Sequence, residues 1–426
     1  MAASSVISGV IVARVLGAEK FGAYAALSVA ATVTVLIGSL GLPAANTYFV
    51  AKNKALAGSV AVNSILLASI SGGVFATVLW GLAVLFPAVI GNLPGNLVAI
   101  AVLAVPFQLA TALGLSVFLA LGRMREFNAI DLLGQLFIIA NAVIALWLLQ
   151  SDLSLLFALN AAAAALCALI TFAVLFRLLA KDSEELRGRW RVDIQRLGEM
   201  VLYALKGQVL WVATLLMLRL DLLIVSLWRG PEEAGVYSVA TQFTLLILLL
   251  PTAVSHLLLA RVAETRGAAA DLTCRAARYI SALILLACLA SVPLSYLVPI
   301  VYGPAFAGTP SLVILLLPGV FFMSLQTALL QYFVGTGLPR LIPLSWAFAL
   351  AINIILNCII VPHWGASGAA VVSTFSYTLI FVLIFLLFRA ETDKSWRDIL
   401  ILRNEELSDL LNFRLGPLDS GHKISQ

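Results

Sequence analysis

Charge is scarce in this chain. Asp, Glu, Lys and Arg make up 11% of its 426 residues, against about 25% in a soluble globular domain. Three histidines, His256, His363 and His422, do not cluster. The four cysteines, Cys167, Cys274, Cys288 and Cys358, form no CxxC pair and lie mostly inside apolar runs. They read as buried apolar thiols, not as disulfides or a metal site. Paired carboxylates, metal-ligand spacing and a nucleophile triad are all missing, so neither an enzyme nor a cofactor is expected. No basic patch with interleaved aromatics accompanies the net charge of +5, which argues against a nucleic-acid partner. No cleavable signal peptide is visible, and the first apolar run is expected to stay as a helix.

What the chain has instead is apolar length. Hydrophobic residues are 62% of it, arranged in repeated runs of about 20 residues or more. Such a run crosses a ~30 Å hydrocarbon layer at 1.5 Å rise per residue. The runs are continuous, not alternating, which selects helices over a barrel. Twelve spans are expected, at 1–16, 24–48, 56–86, 97–121, 129–149, 153–179, 200–228, 236–261, 275–301, 309–335, 341–361 and 366–388. The first is too short to span comfortably.

Basic residues orient these spans. Alternate loops and the carboxy-terminal tail hold 21 Lys and Arg, and the opposite side holds only Lys20 and Arg229. The basic side is expected to be cytoplasmic, with both termini on it. The loops of the other side are short, the longest around Pro87 to Asn96. The connection from Lys181 to Gly198 mixes basic and apolar residues. It is expected either to lie along the anionic inner leaflet, with Trp190 in the interface, or to be a solvated linker. The tail after Arg389 is expected to hold some amphipathic helix and then disorder.

A repeat sits at half the chain length. Gly17-Ala-Glu-Lys-Phe-Gly22-Ala-Tyr24 resembles Gly230-Pro-Glu-Glu-Ala-Gly235-Val-Tyr237 at an offset of 213. Pro106 with Pro318, Asn141 with Asn353, and Gly122 with Gly337 follow at nearly the same offset. The offset covers six helices, an even number, so the two halves keep the same orientation. The reading is an all-α polytopic membrane protein of about 12 transmembrane helices in two six-helix lobes related by a parallel repeat. An amino-terminal lobe covers 1–180 and a cytoplasmic linker 181–199. A carboxy-terminal lobe covers 200–389 and a cytoplasmic tail 390–426. That plan is transporter-like but names no substrate.

Several segments resemble a known family. They are Ala13-Arg-Val-Leu-Gly-Ala-Glu-Lys-Phe-Gly-Ala-Tyr24 with Gly38-Ser-Leu-Gly-Leu-Pro43, and Arg219-Leu-Asp-Leu-Leu-Ile-Val-Ser226 with Ala234-Gly-Val-Tyr-Ser-Val-Ala240. Tyr302-Gly-Pro-Ala-Phe306 and Pro362-His-Trp-Gly-Ala-Ser-Gly-Ala-Ala370 complete the set. Together they are similar to the Wzx-like oligosaccharide flippase branch of the multidrug/oligosaccharidyl-lipid/polysaccharide exporter superfamily. The resemblance implies translocation of an undecaprenyl-diphosphate-linked oligosaccharide across a bacterial cytoplasmic membrane, by alternating access of two lobes around a cationic cavity. It brings in lipid-linked oligosaccharide as substrate, membrane lipids as surroundings, and glycan polymerase and glycosyltransferases as partners. The chain departs from the lipid II flippases in having no thirteenth and fourteenth helices.

Charges inside the spans are the candidate substrate-binding residues, because a charge at the bilayer centre costs on the order of 2.5–3.5 kcal/mol on insertion scales. They are Arg14, Lys206, Arg219 and Asp221. Arg or Lys can make charge-assisted hydrogen bonds to a diphosphate. Arg219 and Asp221 are two positions apart on one helix, point about 160° away from each other, and so cannot simply neutralise one another. Lys206 and Arg14 have snorkelling as the plainer alternative. Asp221 reads either as a structural partner for a cation or as a protonatable coupling site. Asn46, Gln135, Asn141, Gln242, Gln326, Gln331, Asn353 and Asn357 are sugar-binding candidates by type, or helix–helix glue. The competing readings are a cation-coupled multidrug exporter of the same superfamily, a membrane glycan polymerase or ligase, and a channel.

Overall fold

A chain in hydrocarbon must pair its backbone groups within itself, and a helix does so turn by turn. The computed structural model describes residues 2–90, 92–181, 192–264 and 269–402, and every regular element among them is helical. The first half contains α1 (Ala2–Gly38), α2 (Leu42–Lys52), α3 (Ala57–Leu85), α4 (Gly95–Val102), α5 (Ala104–Ala120), α6 (Met124–Ala142) and α7 (Leu153–Lys181). A π-helical stretch, Val143–Leu148, continues α6. The second half contains α8 (Ile194–Arg229), α9 (Pro231–Ile247), α10 (Leu249–Glu264), α11 (Ala269–Ser295), α12 (Val298–Tyr302), α13 (Thr309–Thr336), α14 (Leu341–Thr392) and α15 (Trp396–Leu400).

Among the described residues ten helical segments are long and apolar enough to cross a membrane. Two of them, in α1 and α14, are each a pair of helices joined at one glycine. Gly17 (φ 77°, ψ 175°) and Gly365 (φ 58°, ψ −143°) leave the helical region. The chain reverses at both. In a straight helix Asn353 and Ser376 would lie ~35 Å apart, yet Asn353 Nδ2 donates to Ser376 Oγ at 3.0 Å. A methyl built on Gly9 would lie 3.8 Å from the Phe21 ring, where a straight helix would hold these residues ~18 Å apart. Counting the arms either side of each glycine gives twelve segments, the number expected. The chain is a multi-pass membrane protein.

Several boundaries differ from expectation. The span expected at 24–48 is broken: α1 ends at Gly38, α2 begins at Leu42, and Leu40 (φ 50°) and Gly41 (φ 73°) separate them. It also starts earlier, directly after Gly17, because a single left-handed glycine turns the chain without a loop. The span expected at 236–261 likewise begins at Pro231, and α9 gives way to α10 at Leu248. The linker segment 182–191 and the tail from residue 403 lie outside the described residues.

Contacts divide the chain into two compact units. One comprises Met1–Phe243, Leu294–Leu316 and Trp346–Ser376; the other comprises Thr244–Pro293, Leu317–Ser345 and Tyr377–Gln426. In the first, α5 packs against α2, α3 and α7. One buried cluster there gathers Phe21, Leu27, Val105, Phe157, Tyr302 and Phe306, and a second gathers Leu42, Val60, Leu109, Phe118 and Leu175. In the second unit Phe322 stacks on Phe381, and Trp396 sits on Phe385 with ring centroids 3.7 Å apart. Large apolar side chains such as Leu85, Leu132, Leu169 and Leu289 are exposed, as lipid-facing positions require. Cys167, Cys274 and Cys288 are buried free thiols, and Cys358 is exposed.

Candidate functional site

The repeat is visible as geometry. Gly17 and Gly230, equivalent at the offset of 213, adopt nearly one conformation, φ 77° and ψ 175° against φ 89° and ψ 172°. Five residues on, Gly22 and Gly235 meet backbone to backbone. A methyl on Gly22 would lie 1.7 Å from the Pro231 carbonyl oxygen, and one on Gly235 would lie 2.3 Å from the Ala18 carbonyl oxygen. Ala18 and Pro231 are themselves repeat equivalents, so the contact is reciprocal, as a two-fold relation demands. The same relation extends outward. Lys20 Nζ pairs with Asp152 at 3.5 Å. Its equivalent, Glu233, accepts from the Ala366 backbone N–H at 2.7 Å, beside Gly365, the equivalent of Asp152. Arg229 holds the other oxygen of Glu233 at 3.0 Å.

Deeper in the same unit, the break between α1 and α2 frees carbonyls that a membrane cannot solvate. Side chains take them up. Leu36 O accepts from Ser39 Oγ and from Gln208 Nε2, each at 2.7 Å, and Gly38 O accepts from Ser71 Oγ at 2.8 Å. Below the break Asn46 Nδ2 reaches Ser64 Oγ at 3.1 Å and Ser116 Oγ at 3.0 Å, tying α2 to α3 and α5. Gln208 also lines an open cleft of about 380 Å³ between α8 and the first arm of α14, together with Leu205, Val209, Val212, Leu350 and Ile354.

α8 carries three of the four expected site residues. Asp221 is 1% exposed and fully bonded. Its Oδ2 accepts from the Tyr237 hydroxyl and from Ser373 Oγ at 2.8 Å, and its Oδ1 from the Leu222 N–H at 2.8 Å. The carboxylate thus joins α8, α9 and the second arm of α14. Its repeat equivalent is Ser8, whose hydroxyl turns back to the Ser5 carbonyl at 3.3 Å, so the charge is a feature of the second half only. Arg219 is half-buried, on a different face from Asp221 as the helical spacing requires. The backbone of Lys206 lies within α8, and its side chain is outside the described residues. Arg14, on α1, is exposed and donates from Nε to Val301 O and from Nη2 to Ile300 O. It thereby caps the carboxy-terminal carbonyls of α12, where a cation is favoured. Arg14 and Asp221 do not share one contact network: Arg14 serves the α12 end and Asp221 a buried cluster.

Most of the amides bond between or along helices. Asn141 Nδ2 donates to Asn160 at 2.9 Å, Asn353 to Ser376, Asn357 to Asn353, and Gln242 accepts from the Tyr302 hydroxyl at 3.3 Å. Gln135 accepts from Ser4. Gln326 keeps a buried Nε2 with no partner among the described residues. Residues that sequence reasoning did not single out are Ser373 and the hydroxyls Ser39, Ser64, Ser71 and Ser116. Serine in an apolar run carries no signal of its own until its neighbour is known. Among the described residues no group of three or more His, Cys, Asp or Glu is placed to hold a metal ion.

Residues 4–256 match the family described as polysaccharide biosynthesis protein. No curated protein matches the chain in sequence. Solved structures match it over almost its full length. A multidrug resistance MATE family transporter of the MOP superfamily, inward-facing, is 16% identical with a TM-score of 0.75, over 92% of this chain and 94% of that one. The lipid II flippase MurJ, inward closed, is 14% identical with a TM-score of 0.71, over 93% and 87%. The eukaryotic MATE transporter AtDTX14 is 15% identical with a TM-score of 0.67, over 90% of each. The chain has this two-lobed, all-helical fold.

Proposed function

The chain belongs to the polysaccharide biosynthesis protein family, and on that premise we propose that it is a flippase for a lipid-linked oligosaccharide. The substrate is an oligosaccharide on undecaprenyl diphosphate, carried from the cytoplasmic to the outer leaflet of the bacterial cytoplasmic membrane. Its supply and use assign glycosyltransferases and a glycan polymerase as partners. The moving parts are the lobes 1–180 and 200–389, joined by the linker 181–199, with the tail 390–426 and both termini cytoplasmic. The basic asymmetry of the loops supports that orientation.

The observation that carries this reading is the reciprocal packing of Gly22 on Gly235. Two repeats that meet about an axis, with no loop domain on the outer side among the described residues, suit alternating access to one path through the membrane. Within that path Arg219 and Lys206 are assigned to the diphosphate, whose oxygens offset the cost of keeping cations in a low-dielectric setting. Arg14 secures the outer end of the first helix, and Asp221 fixes the face that α8 presents. Competition in nanodiscs tests the assignment. Undecaprenyl diphosphate without sugar is expected to compete with the full lipid-linked oligosaccharide, and less well in Arg219→Ala or Lys206→Ala. If free oligosaccharide competes and the carrier lipid does not, the cationic anchor is wrong. The fold likeness to a multidrug transporter favours drug export as the second reading. It predicts drug efflux by the reconstituted protein and no movement of lipid-linked sugar.

A further inference from the structure

The second unit contains a polar cavity that the flippase reading does not use. The segment after α14 turns at Asp393 (φ 55°) and runs back over the start of α11 as α15. It is fastened at three points. Lys394 Nζ pairs with Asp271 at 2.6 Å, Arg278 Nη1 donates to Asp398 O at 2.6 Å, and Ser281 Oγ donates to Leu400 O at 2.9 Å. The Trp396 ring, packed on Phe385 and Phe381, pins the strap from the other side. Under it lies a cavity of about 190 Å³ lined by Asp271, Cys274, Arg275, Arg278, Lys394 and Asp398.

The balance of charge in this cavity is positive, three cations to two carboxylates. Asp271 is held by Lys394 within the lining, and Asp398 Oδ2 accepts from the Ser395 N–H at 2.9 Å and from Ser395 Oγ at 2.7 Å. The Asp271 carboxylate holds the Lys394 ammonium above the usual lysine range, so it stays charged. Arg278 is only 4% exposed and forms part of the lining. The fold does not require these charges. At the repeat offset of 213, Asp271, Arg275 and Arg278 correspond to Gly58, Val62 and Ile65. Depth adds the rest. The cavity sits where the polar first turns of α11 give way to the apolar run from Ile280, and Trp396 beside it is the residue type that marks the headgroup level.

We propose that this cavity binds the phosphate of a membrane lipid headgroup from the leaflet on the basic side. Two guanidinium groups and an ammonium suit a phosphate oxyanion, and the volume admits one phosphate with some water. Binding there would clamp the α15 strap onto α11, making the second unit sensitive to the anionic lipid content of its membrane.

Native mass spectrometry of the full chain tests this, with phosphatidylglycerol, phosphatidylcholine and undecaprenyl phosphate as separate probes and inorganic phosphate as competitor. Phosphatidylglycerol is expected to be retained at least tenfold better than phosphatidylcholine. Arg275→Gln and Lys394→Gln should each weaken it several-fold, with the protein otherwise folded by its thermal midpoint. If Arg278→Gln fails to fold, those two variants still decide. Displacement of phosphatidylglycerol by equimolar undecaprenyl phosphate would make the carrier lipid the occupant; no displacement would make it the bulk leaflet lipid. Equal retention of the two phospholipids, unchanged retention in both variants, or equal protection by inorganic phosphate overturns the proposal. None of these outcomes depends on transport, so the flippase reading stands or falls separately.

Discussion

Gly22 and Gly235 hold the two repeats of the chain in backbone contact, each over the carbonyl of the residue four positions before the other. No side chain fits between them. The contact is therefore all or nothing: it closes with glycine and cannot close with any larger residue.

Gly22→Ala is expected to be the more damaging of the two alanine variants, since its methyl would stand 1.7 Å from the Pro231 oxygen against 2.3 Å for Gly235→Ala and Ala18. Overpacking against backbone costs about 1–3 kcal/mol or more. Reconstituted transport should fall at least tenfold in Gly22→Ala, with a lower thermal midpoint in detergent. Wild-type transport and stability in this variant would remove the contact from the mechanism.

Asp221→Asn places an amide donor among three donors, from Tyr237, Ser373 and the Leu222 backbone. Disrupting a buried charged network costs on the order of 3 kcal/mol. Tyr237→Phe and Ser373→Ala each remove one bond to a charged group, about 1.5–3 kcal/mol apiece. The expected order of thermal midpoints is wild type, then the two single-bond variants, then Asp221→Asn. If Asp221→Asn melts like wild type while transport loses its pH dependence, the carboxylate acts as a proton site and not as a strut.

The twelve segments and the half-chain repeat were legible because both are written in local sequence: continuous apolar runs, and Gly-x-x-x-x-Gly-x-Tyr used twice. The break at Leu40–Gly41 was missed although Gly38-Ser-Leu-Gly-Leu-Pro43 carries breaker residues, because the run around it is long and apolar enough to be read as one span. Nothing nearby announces that Ser71 and Gln208 will take up its carbonyls. Asp221 was legible as an anomaly, a charge in an apolar run, but Ser373 lies 152 residues away. The 160° argument set Asp221 and Arg219 on different faces of the helix without saying what Asp221 would meet.

Arg219→Ala should abolish most transport at normal membrane abundance, and Arg219→Lys should retain part of it, because a cation is kept while the bidentate fork is lost. The readout is leaflet accessibility of the sugar in proteoliposomes, alongside a membrane-fraction immunoblot. Normal transport by Arg219→Ala would exclude this residue from the substrate path.

Gln208→Leu leaves the Leu36 carbonyl with Ser39 Oγ alone among the side chains that now reach it. Losing a bond to a buried backbone group costs about 1–3 kcal/mol, so a lower thermal midpoint is expected. Gln208→Glu should not rescue it, since a carboxylate cannot donate to a carbonyl, whereas Gln208→Asn should restore little because it is one methylene too short. A Gln208→Leu protein with an unchanged melting profile would mean that the break carries its own satisfaction.

A topology reporter fused after Gln426 should be active only as a cytoplasmic enzyme. Activity of a periplasm-dependent reporter at that position would reverse the assigned orientation.

The turns at Gly17 and Gly230 join two helices through a single residue, and that leaves no slack in chain length. One residue inserted between Gly17 and Gly22 would advance the following helix by about 100° about its axis. Gly22 would then face away from Pro231, and a bulkier neighbour would take its place. The glycine turns of both repeats are thus phase-locked, tolerant of neither insertion nor deletion, while length changes have room in longer connections such as the one between Leu85 and Gly95. An epitope tag or a protease site belongs in such a connection, and a tag at either glycine turn would report on a protein no longer able to assemble its two halves.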